Sequence, residues 1–183
     1  MDHISIKLSK DGFISRLRLQ TMNMTDSIYD QLQEQFLRKP HDDPEYVIAA
    51  CQTNGLEALG LGRGRVAVAY NDQVLKIPWR EPGVLDNMIE MKLWQQASST
   101  LREVLAPSLE LRKNCSLVQE RCLPVVEAAL EADTRRLILL LAQHGITDGA
   151  ANLGFWKGKI VCYDYALLKP QMFAQLFPEA PGS

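Results

Sequence analysis

The sequence has no long apolar run, no strong excess of charge and no regular spacing of cysteine or histidine. Its 183 residues carry a formal net charge of -2, so charge gives no sign of a nucleic-acid partner. The longest apolar run, 137–142, is far shorter than the roughly 18–20 residues that a membrane span needs. We therefore expect no contact with a membrane, and we expect this run to form a buried helix.

Cysteine and histidine are present only as scattered residues. The four cysteines include no C-x-x-C pair, which predicts reduced, mostly buried thiols. The three histidines lack the spacing of metal ligands, so we expect no structural zinc site. The first residues show no basic segment followed by an apolar one, which predicts a cytoplasmic location, in a bacterium or in a host cell.

What the sequence does contain is enough apolar residues, 46%, for a packed core of one domain or a compact two-lobed one.

The pattern of the first 56 residues predicts helices. One of residues 25–27 can cap a first helix, and Asp43, Pro44 and Gly55 suit the two ends of a second helix over 44–54.

The period of the apolar residues changes in the next segment, 57–122. Val66, Val68 and Tyr70 alternate as in a strand, and the turn at Asn71-Asp72 predicts a hairpin with 74–78. A helix marked by leucine and isoleucine at 85, 89 and 93 should follow. Two further strands are expected near 105–111 and 116–120.

The last segment, 123–183, is richer in helix. Pro124 can open a helix over 125–131, and Asp133 can cap another that ends before Gly145. A hairpin is expected around Lys157-Gly158, followed by a short terminal helix. A strand-rich part followed by a helical part predicts a cleft between them, where ligands usually bind.

Three glycines, Gly60, Gly62 and Gly64, followed by Val66, suit a loop that brings backbone N–H groups close to a phosphate. The spacing is not G-x-G-x-x-G, because position 65 is arginine, and no Walker lysine follows. The alternative is a glycine-rich turn between two strands.

Lys76 is a single lysine inside an apolar strand. It can point to solvent, or a carboxylate can hold it, and Glu90 on the following helix is the candidate partner. Such an ion pair would keep the ammonium group near bound phosphates. Alternatively, Glu90 belongs to a charged helix face.

Asp148, Asn152 and Asp164 supply oxygen atoms in the last segment. Asp164, at the end of an apolar strand, and Asn152 can hold magnesium, while Asp148 can orient or deprotonate a hydroxyl group. Alternatively, Asp164 caps a turn and Asp148 belongs to the tight turn with Gly149.

In this order, these segments resemble the protein-kinase-like fold, and most closely the minimal kinases of bacteriophages and bacterial effectors. The resemblance covers 59–67, 74–77, 87–90, 105–107, 117–120, 145–154 and 161–166.

The resemblance implies an α+β fold: a minimal bilobal kinase with a helical extension at 1–56, a β-rich lobe and hinge at 57–122 and a reduced helical lobe at 123–183. It also implies roles for the site residues. Lys76 would contact ATP phosphates beside Glu90, and Asp148 would be the catalytic aspartate. Gly60, Gly62, Gly64 and Val66 would cover the nucleotide, Glu120 and Cys122 would lie in the hinge, and Asn152 and Asp164 would hold Mg²⁺.

The function that follows is ATP- and Mg²⁺-dependent phosphorylation of a host or partner protein, at serine or threonine. This sequence departs from the family in two places. Asp148 stands four positions before Asn152 where the family has five, with Thr147 at the fifth position, so the loop is one residue short or the base is lost; and Tyr165-Ala166 replaces phenylalanine-glycine. The alternative is therefore a pseudokinase that binds or inhibits a host protein. A small-molecule kinase is a third possibility, but the short stretch after Asp164 argues against it.

Overall fold

The computed structural model describes residues 28–38, 43–125 and 131–178. Within these ranges the chain has an α+β fold with six helices, a five-stranded antiparallel sheet and a three-stranded sheet built on a hairpin. The helices are α1 (Ile28–Arg38), α2 (Pro44–Thr53), α3 (Glu81–Gln96), α4 (Ser99–Arg102), α5 (Glu131–Gln143) and α6 (Pro170–Leu176). The strands are β1 (Ala58–Leu61), β2 (Arg65–Tyr70), β3 (Gln73–Pro78), β4 (Ser108–Leu111), β5 (Leu117–Glu120), β6 (Leu123–Pro124), β7 (Leu153–Trp156) and β8 (Lys159–Cys162).

The second predicted helix, α2, is confirmed together with both of its ends. The Asp43 side chain accepts a hydrogen bond from the Glu45 amide at 2.9 Å, and Pro44 lies in the first turn. Gly55 has φ +71°, the left-handed conformation that glycine adopts most easily after a helix. The expected cap of the first helix, at 25–27, lies outside the described residues.

The large sheet has the strand order β1-β2-β3-β5-β4. The predicted β2–β3 hairpin is confirmed, with Asn71 at φ 53° in its turn and with Ala67 paired to Lys76. Because successive side chains of a strand point to opposite faces of the sheet, β2 and β3 each contribute side chains to both faces. Val66, Val68, Leu75 and Ile77 pack against α1 and α2, while Arg65, Ala67, Val74 and Lys76 line a cavity on the opposite face.

A second core lies beyond that cavity. Its centre is the buried Tyr165, whose hydroxyl donates to the Ala106 carbonyl at 2.9 Å and lies 2.6 Å from Ser108 Oγ. The apolar side chains around it come from α3, α4, α5, β8 and α6. This core supports the hairpin β7–β8, which the sequence also predicted and which turns at Lys157 and Gly158 with positive φ.

Several boundaries differ from the sequence predictions. Pro124 pairs with Gly154 in β6, and most of the helix expected over 125–131 lies outside the described residues. The expected cap Asp133 lies within α5, which is described from Glu131. The run 137–142 is buried on one face only, since Leu137 and Leu141 are buried while Leu139 is 64% exposed. None of the described helices is long and apolar enough to cross a membrane.

The turn between β1 and β2 is in backbone contact with the first turn of α3. The Gly64 carbonyl accepts hydrogen bonds from the Trp79 and Arg80 amides at 2.9 and 3.3 Å. A Cβ added to Gly64 would lie 2.5 Å from the Gly83 nitrogen. Gly64 is therefore required by close packing between the turn and the helix.

Replacing Gly64 by alanine should therefore destabilise the fold. We expect Gly64→Ala to lower the free energy of unfolding by about 1–3 kcal/mol, the usual effect of overpacking. Gly60→Ala is the matched control, since a Cβ there meets no atom within 4 Å, and it should change stability by less than about 0.5 kcal/mol. Urea denaturation measures both, and equal losses would contradict the contact.

Candidate functional site

A cavity of about 630 Å³ opens between the large sheet and the hairpin β7–β8. Its walls combine apolar side chains with charged ones, as small-molecule sites usually do. The lining residues are Leu59, Gly60, Leu61, Gly62, Arg65, Ala67, Val74, Lys76, Gln119, Glu120, Arg121, Cys122, Leu123, Val125, Ala151, Asn152, Leu153, Tyr163 and Asp164.

The predicted ion pair between Lys76 and Glu90 is present at one side of this cavity. Lys76 Nζ on β3 donates to Glu90 Oε2 on α3 at 2.7 Å and to the Tyr163 carbonyl at 2.6 Å. Lys76 is 5% exposed and Glu90 is fully buried. Burial raises the pKa of Glu90, although Arg65 and Lys76 act to lower it. Contacts from α3 and from the backbone just after β8 therefore fix the position of the Lys76 side chain.

Arg65, which the sequence analysis did not assign to the site, is its second buried cation. Its Nη2 atom lies 2.8 Å from Asp164 Oδ1 and 2.8 Å from Glu90 Oε1. Glu90 Oε1 accepts no well-directed hydrogen bond among the described residues, so its contact with Arg65 is ionic. Burial acts to lower the pKa of Arg65, but Glu90, Asp164 and Asp86 outweigh it and keep the guanidinium charged.

Asn87 on α3 fixes the position of Arg65. It is fully buried, and its Oδ1 atom accepts from Arg65 Nη1 at 3.0 Å. Its amide nitrogen donates to the carbonyls of Lys76 at 2.9 Å and Cys115 at 2.8 Å. One side chain therefore connects the arginine, the lysine strand and the β4–β5 turn.

Asp164 lines the cavity next to both cations. Burial acts to raise its pKa, but Lys76 and Arg65 outweigh this effect and lower the pKa to about 2. The carboxylate is therefore ionised near neutral pH, and it is already neutralised by charges of the chain itself.

Asp148 and Asn152 lie close together, but only Asn152 lines the cavity. Asp148 precedes a 3-10 turn, Gly149–Ala151, and its Oδ2 atom accepts from Asn152 Nδ2 at 3.2 Å. The other oxygen, Oδ1, is buried without a hydrogen-bond partner among the described residues. Burial, followed by the charge of Asp164, raises the pKa of Asp148. In this arrangement the Asp148 carboxylate stabilises its own loop and does not line the cavity.

The residues expected to cover a nucleotide separate into two groups. Gly60 and Gly62 line the cavity, and a Cβ on either would meet at most one atom, Arg65 O at 3.6 Å from Gly62. Among the described residues, no contact requires glycine at these two positions, so the space suits a ligand. Gly64 instead packs against Gly83. Val66 is wholly buried on the other face of the sheet, since alternation brings Ala67 to the cavity in its place.

Both expected hinge residues, Glu120 and Cys122, line the cavity. Glu120 accepts a hydrogen bond from Trp156 Nε1 at 3.0 Å, which ties the end of β5 to β7. Burial raises the pKa of the Cys122 thiol to about 11, so it is protonated and unreactive at neutral pH. All four cysteines are free thiols, as the sequence predicted.

No protein-family model matches the chain. A comparison with curated proteins likewise finds no significant match.

One of the two expected magnesium ligands, Asp164, is already engaged by a cation of the chain itself. Its Oδ1 atom contacts the Arg65 guanidinium group, whereas the hydrogen bond from Asn152 to Asp148 uses only the amide nitrogen and not the oxygen that would bind a metal. In the part of the chain that the structure describes, no three His, Cys, Asp or Glu side chains are grouped to hold a metal. Asn152 and Asp164 as magnesium ligands stay a prediction.

Strand parity was a signal that could have found Arg65. Lys76 pairs with Ala67, so residues two positions from Ala67 share its face, and Arg65 is one of them. Asn87, Gln119 and Tyr163 gave no such signal, because their contacts depend on tertiary packing. The Tyr163 contribution is a backbone carbonyl, which any residue could supply.

The lowered pKa of Asp164 predicts a specific dependence of stability on pH. Its ion pairs stabilise the fold fully above the ordinary pKa of 3.8, and this contribution is lost as the pH falls toward the folded value of about 2. We expect the difference in unfolding free energy between wild type and Asp164→Asn to shrink between about pH 5 and pH 2. Urea denaturation at each pH measures it, and a constant difference would contradict the assigned pairs.

Proposed function

We propose that this chain is a minimal bilobal kinase-like domain whose cavity binds a nucleotide such as ATP. The observation that carries the proposal is the buried Lys76–Glu90 pair, 2.7 Å apart, at the wall of a cavity that Asp164 also lines. The order of glycine turn, strand lysine, helix glutamate and late aspartate supports the same interpretation.

The cavity has two kinds of surface that suit the two ends of a nucleotide. Ala67, Val74 and Leu153 offer apolar contact for a flat base. Lys76 offers a fixed positive charge for phosphate groups, and Gly60 and Gly62 leave room for them. ATP supplies the transferable phosphoryl group in kinases. The chain's own contribution here is to bind and orient the nucleotide.

The role that the geometry supports best is that of a pseudokinase, a binding module that acts on a partner or host protein. Asp148 is turned toward Asn152 and does not line the cavity. Asp164 is bound to Arg65. The aspartate expected to be catalytic and the aspartate expected to hold magnesium are thus both engaged within the chain.

Phosphorylation of a protein at serine or threonine is the second candidate. Burial, with the nearby charge of Asp164, raises the pKa of Asp148, the direction that makes a carboxylate a better proton acceptor. A rotation of the loop around Gly149–Ala151 would be needed to turn this carboxylate toward the cavity.

Nucleotide binding is tested by the melting temperature with and without ATP. We expect millimolar ATP to raise it by mass action, and Lys76→Met to reduce this shift because the phosphate contact is lost. Lys113→Met, on an exposed lysine outside the cavity, should keep the full shift. If wild-type protein shows no shift with ATP in the presence or absence of Mg²⁺, the proposed function is wrong.

Asp148→Asn distinguishes the kinase from the pseudokinase. If Asp148 is the base, the substitution should lower phosphate transfer by roughly 10²–10⁴-fold while ATP binding persists. Transfer is measured with ATP labelled at the γ-phosphate, with protein substrates from a cell lysate. If wild-type protein transfers no phosphate to any of them, the second candidate is excluded and the binding role stands.

A further inference from the structure

Arg65 is placed where a kinase-like site would be expected to hold a metal ion. We propose that its guanidinium replaces the divalent cation, so that the cavity binds nucleotide polyphosphate without metal. The inference rests on the proposed function, because it concerns how the same cavity neutralises the phosphates.

The first support is the position of the guanidinium between two carboxylates. Arg65 Nη2 lies 2.8 Å from both Asp164 Oδ1 and Glu90 Oε1, while Arg65 itself lines the cavity. Asp164 and Glu90 have Lys76 as a common neighbour, since Lys76 pairs with Glu90 and lowers the pKa of Asp164. The positive charge that a metal would bring to Asp164 is already present.

The second support is that Arg65 is held in place. It is 7% exposed, Asn87 accepts from its Nη1 atom at 3.0 Å, and Asp86 lies 3.9 Å from its Nε atom. A metal ion at Asp164 Oδ1 would have to displace this side chain and leave the buried Glu90 with one partner fewer. Removing one partner from a buried charge is strongly unfavourable.

The third support is the charge of the cavity. Its lining contains three basic side chains, Arg65, Lys76 and Arg121, and two acidic ones, Glu120 and Asp164. Glu90, buried directly behind Lys76 and Arg65, offsets the third basic charge, so the charges of the site already balance without any added ion. A divalent cation a few ångströms from Arg65 and Lys76 would be repelled by both.

Isothermal titration with ATP tests the inference in two buffers, one with EDTA and one with Mg²⁺. We expect wild-type protein to bind ATP in EDTA with a Kd within about threefold of the Kd measured for ATP in Mg²⁺. Arg65→Met should weaken binding in EDTA by at least about tenfold, because one positive charge near the phosphates is lost. Added Mg²⁺ should largely restore it, because Asp164 becomes free to take a metal.

Two further variants keep the test decisive. Arg135→Met, on an exposed arginine of α5 outside the cavity, is the charge-matched control and should bind as wild type does. If Arg65→Met does not fold, as judged by circular dichroism, Asp164→Asn decides. It removes a negative charge from the cavity wall, so it should tighten ATP binding in EDTA by at least about twofold.

The outcomes separate this inference from the proposed function. ATP binding by wild type that disappears in EDTA would overturn the inference and leave nucleotide binding intact. Unchanged binding in EDTA by Arg65→Met would also overturn it, as would loss of binding in Asp164→Asn in both buffers. Absence of ATP binding in either buffer would instead overturn the proposed function.

Discussion

The buried carboxylate of Glu90 is the group on which the arrangement of the site depends. It has no exposure to solvent, and it faces a lysine from β3 and an arginine from β2. A buried carboxylate is costly unless it is paired, and removing one partner of such a pair typically costs about 3–5 kcal/mol. Because Glu90, Lys76 and Arg65 lie on three different elements, the attraction of both cations to Glu90 fixes α3 against the sheet in one orientation.

Polar contacts extend from this cluster to the N-terminal helix. Asn87 donates to the Cys115 carbonyl in the β4–β5 turn, where Cys115 has a positive φ of 63°. On the far side of that turn, Gln33 of α1 donates to the Asn114 carbonyl and lies 3.3 Å from Ser116 Oγ. The unusual turn conformation therefore has partners on both sides, and α1 supports the site from behind the sheet.

The parts of this structure that depend on local rules could be predicted from the sequence. The β2–β3 hairpin followed from alternation and the Asn71-Asp72 turn, and the Lys76–Glu90 pair followed from their order on strand and helix. Arg65 could not be assigned from pattern alone, because its partners Asn87, Glu90 and Asp164 are brought to it only by folding. The direction of the Asp148 side chain depends on a hydrogen bond inside its loop, which competes with a role at the cavity.

The contact between Gly64 and Gly83 has a consequence for how a ligand could be admitted. Gly62 lines the cavity two residues before Gly64, and Gly83 lies in the first turn of α3, the helix that carries Asn87 and Glu90. The backbone of Gly64 touches the backbone of Gly83 with no side chain between them. A displacement of the β1–β2 turn would therefore also displace the start of α3. The turn that lines the cavity and the helix that positions the charges at its wall are thus joined through backbone atoms, and a larger residue at either glycine would push the two apart.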